Sequence, residues 1–454
     1  MPLGSRARAG RGADTLSAAM EIMRIEGGIP LRGEVAVSGS KNATLPLMVA
    51  SLLTDQPVTL RNVPEIEDVE VMAGMLRHLG VSVDREDRST WHLHAARVSD
   101  DAELSAELTG KLRGSFLLLG ALCARTGAAA IAKPGGDDIG MRRVEQHLEG
   151  LRLMGAEVRE EAGSYVARAS RLSGARIDLD MPTVTGTENL MMAAALAEGI
   201  TVISNAAREP HVYDLARCLV GMGAHISGAG SELIVVEGSG GLLHGTDHAV
   251  TSDYIEAGTW MLAAAATRGD VVVDGMRPTD VRFLLNKLRT AGVEVIEGGR
   301  HIRVRHCGDL RAVDVTTWPH PGFATDLQSQ FVAVMTQADG ISIVSEAVFE
   351  NRFHHVAELN RLGAEIAVQG RSAVVHGPTP LHGADARVRD IRSGAALVIA
   401  ALSAEGVSRL SEIYHLDRGY EDLDEKLVAL GGRVARVDVD EPVAPRDLSG
   451  VVGD

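Results

Sequence analysis

The chain has few cysteines, no long apolar run and no excess of basic side chains. Its three cysteines, Cys123, Cys218 and Cys307, lie far apart among 454 residues. They predict neither a disulfide framework nor a metal-ligand cluster, and they are typical of a reduced, cytoplasmic protein. The longest apolar run, Phe116–Ala124, is about half of the ~20 residues that a membrane-spanning helix needs. We therefore expect no membrane segment.

Basic side chains are in the minority. Lysine and arginine number 45 against 61 aspartates and glutamates, for a formal net charge of −16. A nucleic-acid-binding surface would need a basic face, so this balance argues against nucleic acid as a partner. A small anionic substrate is not excluded, because a site can be locally positive on an acidic protein.

Signatures of metal and nucleotide sites are also missing. The sixteen histidines show no metal-ligand spacing, and neither a Walker lysine motif nor a strand-coupled GxGxxG is present. We expect no metal site and no nucleotide P-loop, and we interpret His147, His354 and His355 as structural. Residues 1–18 carry arginines without an apolar core, which predicts a flexible leader rather than a signal peptide. Residues 438–454 predict a flexible tail.

What the chain does contain is a repeat. An apolar residue, a glycine, a small residue and an alternating strand recur six times, centred on Gly80, Gly155, Gly223, Gly292, Gly363 and Gly431. The intervals between these glycines are 75, 68, 69, 71 and 68 residues. Each unit also holds a helix that is apolar nearly all round, as in ENLMMAAALAEG, and a second, amphipathic helix that ends at the repeat glycine.

Six such units predict an α/β (α+β) protein. Cut in half, they give two pseudo-symmetric domains of three units each, with a boundary near Thr251–Asp253 and a small-molecule site in the cleft between the halves. A solenoid is compatible with the repeat count alone, although units of about 70 residues exceed common solenoid repeats.

Charged and polar residues begin several of the apolar helices. A helix N-terminus offers free N–H donors and the positive pole of the helix dipole. For any one residue, capping or surface solvation is the simpler interpretation. Several cations and helix N-termini around one cleft predict a site for a phosphate or carboxylate. The residues concerned are Lys41, Asn42, Arg113, Asp326, Asp390 and Arg392.

The segment Lys133–His147 is rich in glycine and charge. It reads KPGGDDIGMRRVEQH and carries Asp137, Asp138, Arg142 and Arg143. We interpret it either as a mobile lid that brings an acid and a cation to a site or as an exposed turn. Two later loops, VFENRFHH and IYHLDRGYEDL, each hold an arginine, Arg352 and Arg418, and are weaker candidates for a site.

Together these phrases resemble one family. SGSKN, PGGxxIGxRxVxxH, ENLMMAAALAEG, NAAREP, FxTDLQSQF, VFENRF and IYHLDRGYE follow one another along residues 23–437. In this order they are similar to the enolpyruvyl transferases. The resemblance implies an inside-out α/β barrel of two pseudo-symmetric domains with three repeats each. It places one domain at residues 42–251, with the lid at 133–147, and the other at residues 19–41 plus 252–437.

The resemblance also implies a reaction. Enolpyruvyl transferases move the enolpyruvyl group of phosphoenolpyruvate to a hydroxyl group by addition and elimination, through a tetrahedral intermediate, and release phosphate without a metal or cofactor. The branch that this chain resembles acts on the 3-hydroxyl of UDP-N-acetylglucosamine. The chain is thus expected to be a cytoplasmic enzyme of cell-wall synthesis. Its oligomeric state is not predicted.

The family's functional residues map onto this chain by their motifs. Asp326 matches the base that takes the acceptor hydroxyl proton, and Asp390 matches a residue that assists proton movement. Asn42 and Val348 match contacts to the acceptor sugar. The cations that match positions holding phosphoenolpyruvate and the charges of the intermediate are Lys41, Arg113, Arg142, Arg352 and Arg418, with Arg392 in the same network.

The lid departs from the family pattern. Asp137 stands where the family usually has the cysteine that protonates the methylene carbon and that fosfomycin alkylates; the adjacent Asp138 leaves this assignment slightly open. A carboxylic acid can do this only while protonated, and raising an aspartate pKa by ~3 units corresponds to about 4 kcal/mol. Closure over an anionic ligand acts in that direction. Without the thiol, we expect insensitivity to fosfomycin.

The acceptor side departs further. Arg143 and Glu145 replace a proline and an acid of the family's uracil clamp, Met181 replaces a lysine, and Ala324 replaces a proline. The phosphate-contacting stretch reads TVTGT instead of SVGAT and begins with Thr183, Val184 and Thr185. These changes favour a second hypothesis, transfer to the 3′-hydroxyl of UMP in nucleoside-antibiotic synthesis. A catalytically dead binding homologue or an RNA 3′-phosphate cyclase fits less well, because the donor-site cations are present and a basic surface is missing.

Overall fold

A computed structural model describes residues 21–99 and 104–438. The predicted leader lies outside the described residues, as does the predicted tail from residue 439 onward. Asp438, placed in that tail by the sequence, pairs with Glu21 as the last residue of a strand, so the predicted boundary was one residue too early. No helix among the described residues is long and apolar enough to cross a membrane.

The strands are short and number 23 in the described ranges. In chain order they are β1 (Glu21–Glu26), β2 (Arg32–Ala36), β3 (Val58–Arg61), β4 (Ser82–Arg85), β5 (Trp91–His94), β6 (Ala128–Ala132), β7 (Glu157–Glu161), β8 (Ser164–Arg168), β9 (Arg176–Asp178), β10 (Glu198–Ser204), β11 (His225–Ser227), β12 (Leu233–Ser239), β13 (Thr246–Ala249), β14 (Asp270–Asp274), β15 (Glu294–Glu297), β16 (His301–Arg305), β17 (Val315–Thr316), β18 (Gly340–Ser345), β19 (Glu365–Gln369), β20 (Ser372–Gly377), β21 (Asp385–Arg387), β22 (Val407–Ser411) and β23 (Arg433–Asp438).

The helices alternate with these strands. They are α1 (Lys41–Ala50), α2 (Glu67–His78), α3 (Ala106–Thr109), α4 (Leu118–Thr126), α5 (Glu145–Leu153), α6 (Val184–Leu196), α7 (Pro210–Gly221), α8 (Tyr254–Ala266), α9 (Arg282–Thr290), α10 (Gln328–Met335), α11 (His355–Arg361), α12 (Ile391–Ser403), α13 (Tyr414–Asp417) and α14 (Leu423–Ala429). Short 3₁₀ turns lie at Ser51–Leu53, Arg113–Leu117, Pro278–Val281 and Thr325–Leu327.

Each repeat forms one small sheet. Five sheets have four strands in the orders β13-β3-β5-β4, β9-β10-β12-β11, β2-β14-β16-β15, β17-β18-β20-β19 and β21-β22-β1-β23; the sixth is β6-β8-β7. In each four-stranded sheet the first two strands are parallel and the remaining pairs are antiparallel. The parallel pairs β9-β10, β17-β18 and β21-β22 are each connected through one helix, namely α6, α10 and α12. The parallel pairs β13-β3 and β2-β14 instead join strands that are distant in the chain.

The apolar helices lie inside the sheets. All thirteen residues of α8 are buried, and α10 packs on α12 while both contact α8. In the other half, α4 packs on α6, and α1 contacts both. Because helices that are apolar all round must be covered on every side, each set of three occupies the middle of its own half. This arrangement confirms the inside-out α/β fold predicted from the sequence.

The repeat glycines share one backbone conformation. Gly80, Gly155, Gly223, Gly292, Gly363 and Gly431 have φ between +86° and +101°. Each follows an amphipathic helix and ends it in the left-handed region, where a side chain is disfavoured. The glycine recurs about every 70 residues because each unit ends an amphipathic helix at this position.

The described residues form two hydrophobic cores. The core of lobe 1 is drawn from residues 43–250, and the core of lobe 2 from residues 23–37 and 254–430. The chain crosses between the lobes at two adjacent places, where the Ser40 N–H donates to the Thr251 carbonyl at 2.7 Å and the Asp253 N–H donates to the Ser38 carbonyl at 2.9 Å. We propose the predicted domain bounds on the basis of these two cores.

Candidate active site

Helix N-termini from both lobes carry the predicted residues. Lys41 begins α1, Arg113 begins the 3₁₀ turn before α4, and Asp326 lies in the 3₁₀ turn before α10. Asp390 caps α12, with Arg392 as its second residue. Local sequence fixes these positions, since Ser40 and Asp390 accept hydrogen bonds from the first-turn N–H groups of their helices as capping residues do.

Asp326 lies between two guanidinium groups. Arg352 Nη2 is 2.6 Å from Oδ1 of Asp326, and Arg392 Nη2 is 3.1 Å from Oδ2. Burial raises the pKa of Asp326, but Arg352, Arg392 and Lys41 lower it by more, so the net pKa lies far below its usual range. The carboxylate is ionised and is held by charge-assisted hydrogen bonds.

A second ion-pair network joins the lobes through Asp68. Its Oδ2 is 3.0 Å from Lys41 Nζ, and its Oδ1 is 3.0 Å from Arg418 Nε. The same guanidinium reaches the lid, where Arg418 Nη1 is 2.8 Å from Oδ1 of Asp137. The Asp68 side chain is 2% exposed, and no motif in the sequence distinguishes this residue.

The structure separates the two adjacent acids of the lid. Asp137 points toward Arg418, while Asp138 is exposed. Burial raises the pKa of Asp137, but Arg418, Lys41 and Arg142 lower it, and the net shift is downward. The direction is opposite to the upward shift that protonation of a carbon atom requires, because the charges with the largest effect on Asp137 are those of Arg418, Lys41 and Arg142.

The lid rests on a loop of lobe 2. The Met141 N–H donates to Oε1 of Glu350 at 2.7 Å, the Asn351 N–H donates to the Ile139 carbonyl at 3.2 Å, and His354 Nε2 donates to the Asp138 carbonyl at 2.9 Å. Gly140 has φ +139°, and a Cβ there would lie 2.5 Å from the Glu350 carboxylate. The lid and the VFENRFHH loop therefore contact each other directly.

Two arginines in the closed site have no carboxylate within ion-pair distance among the described residues. Burial and the charge of Arg142 lower the pKa of Arg113 to about 10. Burial also lowers the pKa of Arg142, although Asp137 opposes this shift. Arg142 and Arg352 lie over the ring of Phe349, at 6.0 and 5.2 Å from its centroid. Arg113 and Arg142 are therefore available to an anionic ligand.

The residues expected on the acceptor side are more dispersed. Thr183 caps α6, followed by Val184 and Thr185, and the Thr185 hydroxyl is 3.3 Å from His147 Nε2. Asn42 is partly exposed beside Lys41, and the Val348 N–H donates to Glu346. Arg143 and Glu145 are exposed on the lid and at the start of α5.

Asp390 has a clear local role. Its Oδ1 accepts hydrogen bonds from the N–H groups of Arg392 and Ser393 at 2.9 and 3.0 Å, which caps α12. As for metals, no group of three or more potential ligands is found in the described part of the chain.

The fold and this cation-lined junction define an enzyme of the carboxyvinyl transferase class. The profile of the EPSP synthase family (3-phosphoshikimate 1-carboxyvinyltransferase) matches residues 25–427, and the chain belongs to this family. It is 50% identical over 423 residues to UDP-N-acetylglucosamine 1-carboxyvinyltransferase of Sorangium cellulosum (strain So ce56), covering 92% of this chain and 99% of that protein.

Solved structures give the same assignment. The enolpyruvyl transferase NikO from Streptomyces tendae has a TM-score of 0.83 at 29% identity, over 92% of this chain and 99% of that one. An EPSP synthase from Acinetobacter baumannii has a TM-score of 0.72 at 20% identity, over 92% of this chain and 100% of that one, which supports the fold alone. The resemblance inferred from the sequence motifs is confirmed at the level of the family.

Proposed function

We propose that this chain transfers the enolpyruvyl group of phosphoenolpyruvate to the 3-hydroxyl of UDP-N-acetylglucosamine and releases phosphate. The observation that carries the proposal is the set of six cations around the carboxylates of Asp326, Asp137 and Asp68 at the junction of the lobes. Asp326 is paired with Arg352 and Arg392, and Asp137 with Arg418. The identity of 50% to an enzyme named for this acceptor supports the choice of substrate.

The cations suit a donor with two anionic ends. Phosphoenolpyruvate carries a phosphate and a carboxylate, and neither leaves water without charged partners. Arg113 and Arg142 are partly or largely desolvated without a carboxylate partner of their own. Lys41 and Arg418 share Asp68, so they can turn toward a ligand while one buried carboxylate keeps them in place.

The two carboxylates have complementary parts in the reaction. Asp326 takes the proton of the acceptor hydroxyl while that oxygen attacks C2 of phosphoenolpyruvate, and Asp137 gives a proton to C3. Phosphate then leaves C2 of the tetrahedral intermediate while C3 loses a proton to a carboxylate of the site, for which Asp390 is the candidate, and the double bond is restored. For Asp137 to be an acid, its pKa must rise. A bound anion that competes for Arg418 and Arg142 raises the pKa of Asp137, because these cations lower it now.

Asp390 and the acceptor-side residues complete the proposed site. Oδ1 of Asp390 caps α12, which leaves Oδ2 for the proton movement that the family resemblance implies. The acceptor lies against Asn42, Val348 and the start of α6, with Arg143 and Glu145 from the lid side. No cofactor is needed, the location is cytoplasmic, and the product serves cell-wall synthesis. Without a lid cysteine, the enzyme is insensitive to fosfomycin.

Transfer to the 3′-hydroxyl of UMP is the second candidate. It is favoured by the changed acceptor side, where Met181 is exposed at the start of the Thr183–Thr187 stretch, and by the structural similarity to the enolpyruvyl transferase NikO. Phosphate release from phosphoenolpyruvate, measured with each acceptor in parallel, separates the two. Turnover with UDP-N-acetylglucosamine supports the proposal, turnover with UMP alone supports the second candidate, and no release with either contradicts both.

A further inference from the structure

The carboxylate of Glu346 lies at the end of a parallel strand pair. Thr316 of β17 is paired with Ser345 of β18, so the residues that follow the two strands, Thr317 and Glu346, lie side by side at one edge of the sheet. The Thr317 hydroxyl donates to Oε1 of Glu346 at 2.7 Å. Glu346 is 2% exposed, and a glutamate is almost never so deeply buried without partners. Its partners therefore indicate what it does.

The two oxygens of Glu346 have separate partners. Oε1 also accepts from the backbone N–H groups of Val348 and Phe349 at 2.9 and 3.0 Å, which holds the loop after β18. Oε2 accepts at 2.8 Å from the hydroxyl of Thr325, a residue of the 3₁₀ turn before α10. One buried carboxylate therefore connects two loops of the candidate site.

Thr325 connects Glu346 to Arg352. An arginine nitrogen can only donate, so in the contact of 2.6 Å between Arg352 Nη1 and Thr325 Oγ1 the hydroxyl oxygen accepts. The hydroxyl proton is directed to Glu346. The other terminal nitrogen of Arg352, Nη2, donates to Oδ1 of Asp326 at 2.6 Å. Because a guanidinium group is planar and rigid, fixing Nη1 also fixes the direction from which Nη2 meets Asp326.

The ring of Phe349 is a second support for the same guanidinium group. The Arg352 Cζ atom lies 5.2 Å from the centroid of this ring, within the range of a cation–π contact. The backbone N–H of Phe349 is in turn bound by Oε1 of Glu346. Thr325 and Phe349, which both contact Arg352, are therefore both held by Glu346.

We infer that Glu346 is a positioning residue that acts through the Thr325 hydroxyl and directs Arg352 toward Asp326, the proposed base. This inference rests on the proposed function. Asp326 can take the proton of the acceptor hydroxyl only if its carboxylate is correctly oriented, and a small displacement of a reacting group lowers the rate strongly. In this role neither Glu346 nor Thr325 touches a substrate. Their effect appears in the rate of the reaction and not in the binding of the acceptor.

Thr325 variants test the middle of this hydrogen-bond chain. Thr325→Val removes the hydroxyl at nearly constant shape, so Nη1 of Arg352 loses its acceptor. We expect kcat to fall about ten- to a hundredfold, as for the loss of one hydrogen bond to a charged group, while the KM for the acceptor changes less than about twofold. Thr325→Ser keeps the hydroxyl and should retain most of kcat. Thr316→Val, the same change at an exposed position of β17, is the matched control.

Glu346→Gln tests the origin of the chain. Three donors meet Oε1, so the amide oxygen takes that position and keeps the loop in place, while the amide nitrogen, a donor, faces Thr325. The Thr325 hydroxyl then loses its acceptor, and kcat should fall with little change in the acceptor KM, as in Thr325→Val.

The double variant Glu346→Gln with Thr325→Val separates positioning from a merely structural role. If Glu346 acts through the hydroxyl, the double variant is no slower than Thr325→Val alone, because that hydroxyl is already absent. If Glu346 only stabilises its loop, Thr325→Val keeps its kcat. An unchanged kcat in Thr325→Val, or multiplied losses in the double variant, would overturn the inference. Thermal unfolding of each variant checks that it is folded.

Failure of the proposed function is distinguishable from failure of this inference. If the unmodified enzyme shows no turnover with any uridine nucleotide, the proposed function fails. Crystal structures of the unmodified enzyme, Thr325→Val and Thr325→Ser then test the positioning of Arg352 without turnover. Loss of the contact between Arg352 and Asp326 in the valine variant alone supports the inference. An unchanged contact in that variant, or loss of the contact in both variants, contradicts it.

Discussion

Arg418 of lobe 2 and Asp137 of the lobe 1 lid are joined by a hydrogen bond of 2.8 Å from Nη1 to Oδ1. Asp137, the proposed acid of the reaction, is therefore bound in the closed lid by Arg418, a cation that is also expected to bind the donor substrate. Asp137 is ionised in this pairing because its pKa is lowered. Binding of the donor and protonation of Asp137 are consequently coupled: the anion that takes Arg418 also creates the acid.

Asp137 variants test this part of the account. Asp137→Asn keeps the shape but has no proton of suitable acidity, and we expect kcat to fall by about 10²- to 10⁴-fold, the usual contribution of a general acid. Asp137→Cys restores a thiol and is expected to be active and to gain a covalent fosfomycin adduct, seen by mass spectrometry. An adduct on the lid of the unmodified enzyme would refute the predicted insensitivity.

Asp68 is expected to organise the donor site without touching the reacting atoms. Asp68→Asn removes the charge shared by Lys41 and Arg418, and loss of one partner in a buried ion pair is costly. We predict that kcat/KM for phosphoenolpyruvate falls about a hundredfold while the acceptor KM changes little. Glu67→Gln, an exposed neighbour on the same helix turn, is the matched control. Equal behaviour of the two variants would contradict this role.

Glu350 is expected to hold the lid closed. Glu350→Ala removes the carboxylate that accepts from the Met141 N–H, and an exposed hydrogen bond to a charged group corresponds to at most roughly 1 kcal/mol. Amide hydrogen exchange of residues 133–147 should become about fivefold faster, and the KM for phosphoenolpyruvate should rise. Glu365→Ala, an exposed carboxylate on β19, is the control. Unchanged exchange in the lid would show that the other two lid contacts suffice.

The sequence predicted the architecture because the fold is periodic. Each unit needs one helix that is apolar all round and one glycine in the left-handed region. The apolar segment and the glycine therefore both recur along the sequence. Lys41, Asp326 and Arg392 were predicted as site residues for a related reason, since a charge at the start of an apolar helix is unusual.

Other features needed the three-dimensional arrangement. Asp68 looks like an ordinary acid in the first turn of an amphipathic helix, and only the fold brings Lys41 and Arg418 to it. His147 and His354 were interpreted as structural, and the sequence did not predict their partners: His147 Nε2 lies 3.3 Å from the Thr185 hydroxyl, and His354 Nε2 donates to the Asp138 carbonyl of the lid. The direction of the Asp137 pKa shift depends on the balance between burial, which raises the pKa, and the charges of nearby cations, which lower it. The spacing of residues in the sequence does not reveal that balance.

The burial of His211 predicts that the folded protein loses stability in mild acid. It stacks on Tyr254 at 6.0 Å, both ring nitrogens lack a hydrogen-bond partner among the described residues, and burial lowers its pKa to about 4. The unfolded chain binds the proton near pH 6.5, so between these values the unfolded state holds more protons and stability falls as pH falls. The loss from pH 7 to pH 5 is about 2 kcal/mol.

Urea unfolding at both pH values checks this prediction. His211→Gln cannot titrate, so it should lose about 2 kcal/mol less than the unmodified protein over the same interval. His225→Gln, at an exposed position of β11, should follow the unmodified protein. Buried acids with raised pKa values, such as Glu188, act in the opposite direction, which is why the comparison is made between variants. Parallel curves for all three proteins would contradict the prediction.

The most direct test of the proposed reaction is to identify its product. The enzyme is incubated with UDP-N-acetylglucosamine and phosphoenolpyruvate labelled at C2, and the product is examined by nuclear magnetic resonance. We expect a new enol ether carbon coupled to the sugar at O3, formed together with one phosphate per transfer. Label that stays in phosphoenolpyruvate, or appears on the ribose of a uridine nucleotide only, would contradict it.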